Sequence, residues 1–166
     1  MKLGPRGMRL FFNLYPPYLF SRTRVKYIAP DWKKLIVELP KSFLTRNYVG
    51  TTFGGSLYSA ADPFFMIMLI KIFGMRDYII WDKGVTVDFK KPARSKITYS
   101  FTITDPVLEK IRRDLAETGK SLPELWVDGV DEEGVICVSI LKKLYLRKKN
   151  KGVSPKSDSL KDGGRT

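Results

Sequence analysis

The chain contains no histidine. That absence removes Ser-His and Cys-His nucleophile pairs, histidine zinc sites and any imidazole general base. Acid–base chemistry in this protein therefore falls to carboxylates, lysine or tyrosine. Cysteine is nearly absent too: Cys137 stands alone, so no intrachain disulfide or cysteine-rich metal centre can form. A lone thiol within an alternating apolar run fits packing better than nucleophilic chemistry, and a reducing, cytoplasmic setting is expected. Acidic residues are in deficit, 17 against 30 Lys and Arg, for a net charge of +13. This excess favours an anionic partner. There is no basic recognition helix or aromatic-studded RNA motif, so nucleic acid is not the expected one. Phosphate-bearing molecules, acidic carrier proteins and anionic membrane surfaces stay open. No metal or redox cofactor is indicated; a CoA moiety would enter only as part of a substrate.

With 166 residues the chain suits one domain around one core. Residues 1–24 form an N-terminal amphipathic segment, with Lys2, Arg6, Arg9, Arg22 and Arg24 around the run Met8–Leu14 and then Pro16-Pro17. A short helix ending before the prolines is expected, packed on the body or touching a membrane surface, with packing favoured. Val25–Ile28 and Leu35–Leu39 read as a strand pair about the turn Ala29-Pro30-Asp31. Tyr78–Trp81 leads through Asp82-Lys83-Gly84 into Val85–Phe89. Lys96–Ile103 alternates cleanly, Ile97, Tyr99, Phe101 and Ile103 on one face. Pro106 opens a short helix striped by Val107, Leu108, Ile111 and Leu115 and stopped by Gly119. Leu125–Asp131 and Val135–Leu146 make a closing hairpin, and Lys142, Lys143, Arg147, Lys148, Lys149 and Lys151 crowd its end. Residues 149–166 read as a disordered basic tail.

Between the first strand pair and the later strands lies the most informative stretch, Asn47 to Gly74. Gly50, Gly54 and Gly55 punctuate a polar turn that feeds a run apolar on nearly every side, the pattern of a helix wrapped by other structure. Asp62, Pro63 and Lys71 interrupt the run, so a transmembrane segment is not expected. Asp62 and Pro63 either start a second helical segment or kink a single long one. A carboxylate there is costly unless hydrogen-bonded. The resulting fold class is α+β: an antiparallel sheet of about five to six strands wrapped around one long apolar central helix. An N-terminal helix and a short inserted helix complete it.

That order is the hotdog arrangement. The segment Asn47-x-x-Gly50-Thr51-x-Phe53-Gly54-Gly55, followed by Asp62, resembles the signature of phenylacetyl-CoA-type hotdog thioesterases. In that group a His-Gly-Gly precedes a helix bearing a catalytic carboxylate. Asn47, Gly54, Gly55 and Asp62 fall on matching positions, whereas Phe53 stands where that group has His. Phe89-Lys90-Lys91-Pro92-Ala93 is similar to the strand and turn that follow, and Leu144-Tyr145-Leu146-Arg147 to the last strand. The resemblance covers residues 25–148, the hotdog domain, and is nearest to an uncharacterised thioesterase-like branch carrying Phe-Gly-Gly.

The resemblance implies an acyl-CoA or acyl-carrier thioesterase. Asp62 would be its base or nucleophile, Gly54 would give a backbone N–H to the oxyanion, and Asn47 would orient water or the carboxylate. Phe53, Gly55, Phe64 and Phe65 would lie toward the acyl group, with Met66 beside them, although core packing is the favoured role for Phe64, Phe65 and Met66. It also implies a homodimer, or a dimer of dimers, with the site shared across the interface. A non-catalytic hotdog binding an acyl thioester or lipid is the alternative. A hydratase is set aside because that class uses a histidine.

Overall fold

The computed structural model describes residues 3–149. The expected tail lies outside the described residues from 150 onward. The elements in chain order are α1 (Pro5–Leu14), α2 (Pro16–Phe20), β1 (Arg24–Ile28), β2 (Lys34–Leu39), a single 3-10 turn Phe43–Thr45, α3 (Gly54–Ser59), α4 (Phe64–Phe73), β3 (Tyr78–Phe89), β4 (Ile97–Thr102), α5 (Asp105–Thr118), β5 (Lys120–Ser121), β6 (Glu124–Val130) and β7 (Ile136–Lys148). Six strands make an antiparallel sheet in the order β1-β2-β4-β6-β7-β3, and the two-residue β5 pairs with β7.

Alternation in the sequence becomes one buried face. Leu35, Val37 and Leu39 of β2 lie opposite Phe101, Tyr99 and Ile97 of β4, and all six are buried. Cross-strand pairs of this kind are the unit of sheet stability. Gly129 of β6 holds a position that only glycine fits. A Cβ there would come within 2.6 Å of Val138 and 2.7 Å of the Tyr99 ring. That space lets Tyr99 lie flat within the core and donate from its hydroxyl to the Leu57 carbonyl of α3 at 2.9 Å.

The central helical stretch runs from Gly54 to Phe73 and is broken into α3 and α4 at Ala60–Pro63. Of the two arrangements open for Asp62 and Pro63, the chain takes the segmented one. Pro63 caps α4 from just outside it, and the Asp62–Pro63 peptide bond is cis. This stretch is long and apolar enough to cross a membrane by length and composition. In the fold α4 lies instead against the sheet: Phe64 and Phe65 both contact Phe101, with centroids 5.4 and 5.0 Å apart.

The N-terminal segment packs on this helix. Phe12 of α1 meets Phe64 edge-on, and Tyr18 of α2 stacks on the same ring at 5.5 Å. Asn13 acts as a local strand surrogate. Its amide donates to the Val25 carbonyl at 3.1 Å and accepts from the Val25 N–H at 2.8 Å, tying α1 to β1. Pro16 and Pro17 end α1, as expected, and also open α2, where missing N–H groups cost nothing.

Candidate active site

Asp62 sits in the break between α3 and α4, and its carboxylate is met by residues from two other parts of the chain. Lys142 Nζ of β7 donates to Asp62 Oδ1 at 2.5 Å, and the Tyr58 hydroxyl donates to the same oxygen at 3.2 Å. The Lys142 ammonium also lies 3.1 Å from Asp82 Oδ2 of β3 and 5.2 Å from the Tyr58 ring centroid. From the opposite side the Tyr18 hydroxyl donates to the Asp62 backbone carbonyl. One lysine, two carboxylates and two phenols thus converge on a helix break. Asp62 is the member open to solvent, its side chain 40% exposed against 1% for Lys142.

Strand register explains the convergence. Val138, Ile140, Lys142, Leu144 and Leu146 share one parity of β7, and the four apolar members are fully buried. Lys142 therefore holds a core position. On β3 the register slips between Asp82 and Gly84, leaving Lys83 as the extra residue of a bulge. The bulge puts Asp82, opposite Leu144, on the same face as Val85, opposite Lys142. An unbroken alternation would turn one of them away.

The electrostatics follow from burial. Loss of water works against the charge on Lys142, but hydrogen bonding and attraction to Asp62 and Asp82 prevail and hold its ammonium above its ordinary range. Burial pushes the Asp82 carboxyl up; Lys142 opposes this and the neighbouring Asp62 reinforces it. Among the described residues Asp82 Oδ1 is buried without a hydrogen-bond partner. Burial, then the nearby Asp62, likewise raises the Tyr58 phenol. The cluster thus favours the charged lysine and holds the Asp82 carboxyl above its ordinary range. Chemically it is a cation shared between two carboxylates, one more open to solvent than the other.

The glycine turn builds a separate cleft of about 360 Å³, lined by residues that include Asn47, Thr51, Gly54, Leu57, Phe89 and Lys91. Gly54 lies so close to Phe89 that a Cβ would stand 2.8 Å from the ring. The N–H groups of Gly54 and Gly55 open α3 with no side-chain cap. Asn47 spends its amide within its own loop, donating to Thr51 Oγ1 at 2.8 Å and accepting from the Thr51 N–H at 3.0 Å. Phe53 is 57% exposed, with its ring folded over Gly55. Phe64 and Phe65 are sealed in the core, and Met66 is half-buried beside them.

The fold thus brings Asn47 and Gly54 to one cleft, leaves Phe53 and Gly55 exposed outside its lining, and takes Asp62 to a different cluster. Within the described residues Asp62 is joined by Tyr58, four residues back on α3, and by Lys142, Asp82 and Tyr18, which lie outside the motif. In the sequence Lys142 is one of the cations crowding the end of the last hairpin, and its parity with four buried aliphatic residues is the signal that sets it apart. Asp82 gave no such signal, because the bulge resets the alternation around it.

The family profile described as Domain of unknown function (DUF4442) matches residues 5–146. No curated protein matches by sequence. Among solved structures, a protein of unknown function from Pseudomonas aeruginosa described as a probable thioesterase, PA5026, is similar with a TM-score of 0.77 and 20% identity, over 90% of this chain and 99% of that one. The thioesterase HI1161 of Haemophilus influenzae gives a TM-score of 0.64 at 10% identity, over 89% and 93% of the two chains. The E. coli PaaI protein from the phenylacetic acid degradation operon gives 0.61 at 12% identity, over 87% and 92%. The chain has the hotdog fold of these proteins, with seven strands about its central helix, and it belongs to the DUF4442 family.

Proposed function

We propose that the protein hydrolyses an acyl thioester, carried on CoA or on an acyl-carrier protein. Asp62 serves as general base on water or as direct nucleophile. The carrying observation is that Asp62 is the more solvent-open carboxylate of a cluster whose lysine is buried and whose second carboxylate is half-buried, and that it is fixed in place through its Oδ1 and its backbone carbonyl. Gly54, which opens α3 without a side-chain cap, lines a cleft, where a backbone donor aimed at the thioester carbonyl would stabilise the developing oxyanion. Lys91 at the rim of that cleft suits the phosphates of CoA.

Asp62 and Gly54 act on one substrate when Asp62 comes from a second copy, which makes the active form a homodimer or dimer of dimers. Two features support this. Among the described residues β3 is an edge strand of twelve residues with one side unpaired. Phe43, Leu44, Tyr48, Val49 and Phe53 stand exposed on the loop before α3, a surface that a second copy would cover.

The second reading, a hotdog that binds an acyl thioester or lipid without cleaving it, draws on Phe53 at the position where the phenylacetyl-CoA-type signature has His and on the cation bound to Asp62. Thiol release from short, long and aromatic acyl-CoAs separates the two. Hydrolysis is expected to fall at least about 10²-fold in Asp62→Ala. Full activity in that variant would remove Asp62 from the mechanism. Binding by calorimetry with no thiol release from any substrate would establish the binder.

A further inference from the structure

The N-terminal hairpin carries a surface that neither the core nor the candidate site uses. Leu10, Phe11, Leu14, Tyr15, Leu19 and Phe20 all stand exposed within eleven residues, Phe20 at 72%. α1 has three faces at helical spacing. Met8 and Phe12 turn to the core, Leu10, Phe11 and Leu14 turn outward, and Arg6, Arg9 and Asn13 lie between. Beside the outward apolar face, a groove of about 540 Å³ gathers Arg6 and Arg9 of α1 with Arg24 and Lys26 of β1, and Leu10 forms its rim.

Three of the four charges of this groove, the arginines, meet only neutral acceptors or none among the described residues. Arg9 donates to the Lys26 carbonyl at 3.2 Å and Arg24 to the Asn13 carbonyl at 3.4 Å, both neutral acceptors. Among the described residues Lys26 is the one groove cation in an ion pair, with Glu38 at 3.6 Å; Arg24 stands opposite Glu38 in the β1–β2 register. Among the described residues none of the three arginines forms an ion pair.

We propose that the α1–α2 hairpin seats the protein on an anionic lipid bilayer. Leu10, Phe11, Leu14, Leu19 and Phe20 enter the boundary of headgroups and acyl chains. Arg6, Arg9, Arg24 and Lys26 take the headgroup phosphates. An apolar stripe flanked by arginines is the pattern of an interfacial helix, and basic side chains beside it add electrostatic attraction. The same charges argue against a second copy as occupant. A two-fold contact brings a patch against itself and would set these cations close to their own equivalents. The seat is mechanically joined to the interior, because Tyr18 of α2 stacks on Phe64 and holds the Asp62 carbonyl. The proposal does not depend on the thioesterase reading, since its test reads lipid binding alone.

Flotation of the full chain with vesicles provides that test. Binding is expected to vesicles of phosphatidylcholine mixed with phosphatidylglycerol, and not to phosphatidylcholine alone. Arg6→Gln with Arg9→Gln should weaken it about tenfold or more, from roughly fivefold per charge. Leu14→Ser with Phe20→Ser should abolish it while leaving the circular-dichroism melt in place. The conservative Phe20→Trp, read against wild type, should gain emission that brominated acyl chains quench. No binding to anionic vesicles, binding unaltered in the Leu14→Ser/Phe20→Ser variant, or no quenching at position 20 would each overturn the proposal. So would a dimer that the serine variant converts to monomer, which would make the patch a subunit interface.

Discussion

The N-terminal hairpin and the Lys142 cluster break the ordinary partition of side chains in opposite senses. The hairpin exposes Leu10, Leu14 and Phe20, while the cluster buries an ammonium and most of a carboxylate. The comparison shows that each departure is compensated only where it has a partner. Inside, Asp62 and Asp82 satisfy Lys142, and the desolvation cost is met by charge. Outside, no group of the described residues covers the apolar face, which is the state of a surface awaiting contact. Tyr18 belongs to both regions, since it anchors the hairpin and touches the Asp62 backbone.

The sharpest way to break this contrast is to remove the internal cation. Lys142→Ala leaves two facing carboxylates without their counter-charge, and urea denaturation should show a loss of about 3–5 kcal/mol. A triple variant, Lys142→Met with Asp62→Asn and Asp82→Asn, should recover most of that loss, because the desolvation cost disappears along with the pair. Persistent instability in the triple variant would mean that packing around the lysine stem, rather than charge, is what the cluster supplies.

A smaller effect is expected on pH dependence. The folded state raises the Asp82 carboxyl above its ordinary value, so between the two values the folded chain binds more protons than the unfolded one. That contribution is fully present below the ordinary carboxylate range and is lost as pH rises through the folded value. Asp82→Asn should remove this downward slope from the stability profile upward of about pH 4. Lys142 acts in the same direction at alkaline pH: its raised value sustains stability up to its ordinary range, and the contribution is lost as pH climbs through the folded one. Identical slopes for wild type and Asp82→Asn would show that Asp82 is not the proton-holding member.

The smallest effect belongs to the exposed side. Phe20→Ser should change unfolding free energy by no more than about 0.5 kcal/mol, as an exposed substitution does. A larger loss would mean that Phe20 contributes to the fold and would erase the contrast.

Much of this molecule was legible in its sequence. The alternation of Lys96–Ile103, the proline and glycine bounding α5 and the closing hairpin all correspond to observed elements. Their signals are local: a period, a cap, a turn residue. The Asn47–Gly55 signature located the turn and α3, because tight turns and helix starts also need specific residues at fixed spacing. What stayed hidden were the partners of Asp62. Lys142 is 80 residues away from it in the chain, and no local period carries that distance. The β3 bulge, which aims Asp82 inward, depends on pairing with β7 and leaves no mark in β3 alone.

The amino-acid order by itself determined the elements, the core face of the sheet and the glycine turn, because each follows from steric and hydrophobic patterns within one short segment. Only the tertiary structure decided that a lysine from the last strand would lie between two aspartates. It also decided that the apolar side of α1 would be left facing outward. Both outcomes depend on which distant segments meet, and that is fixed by register and packing.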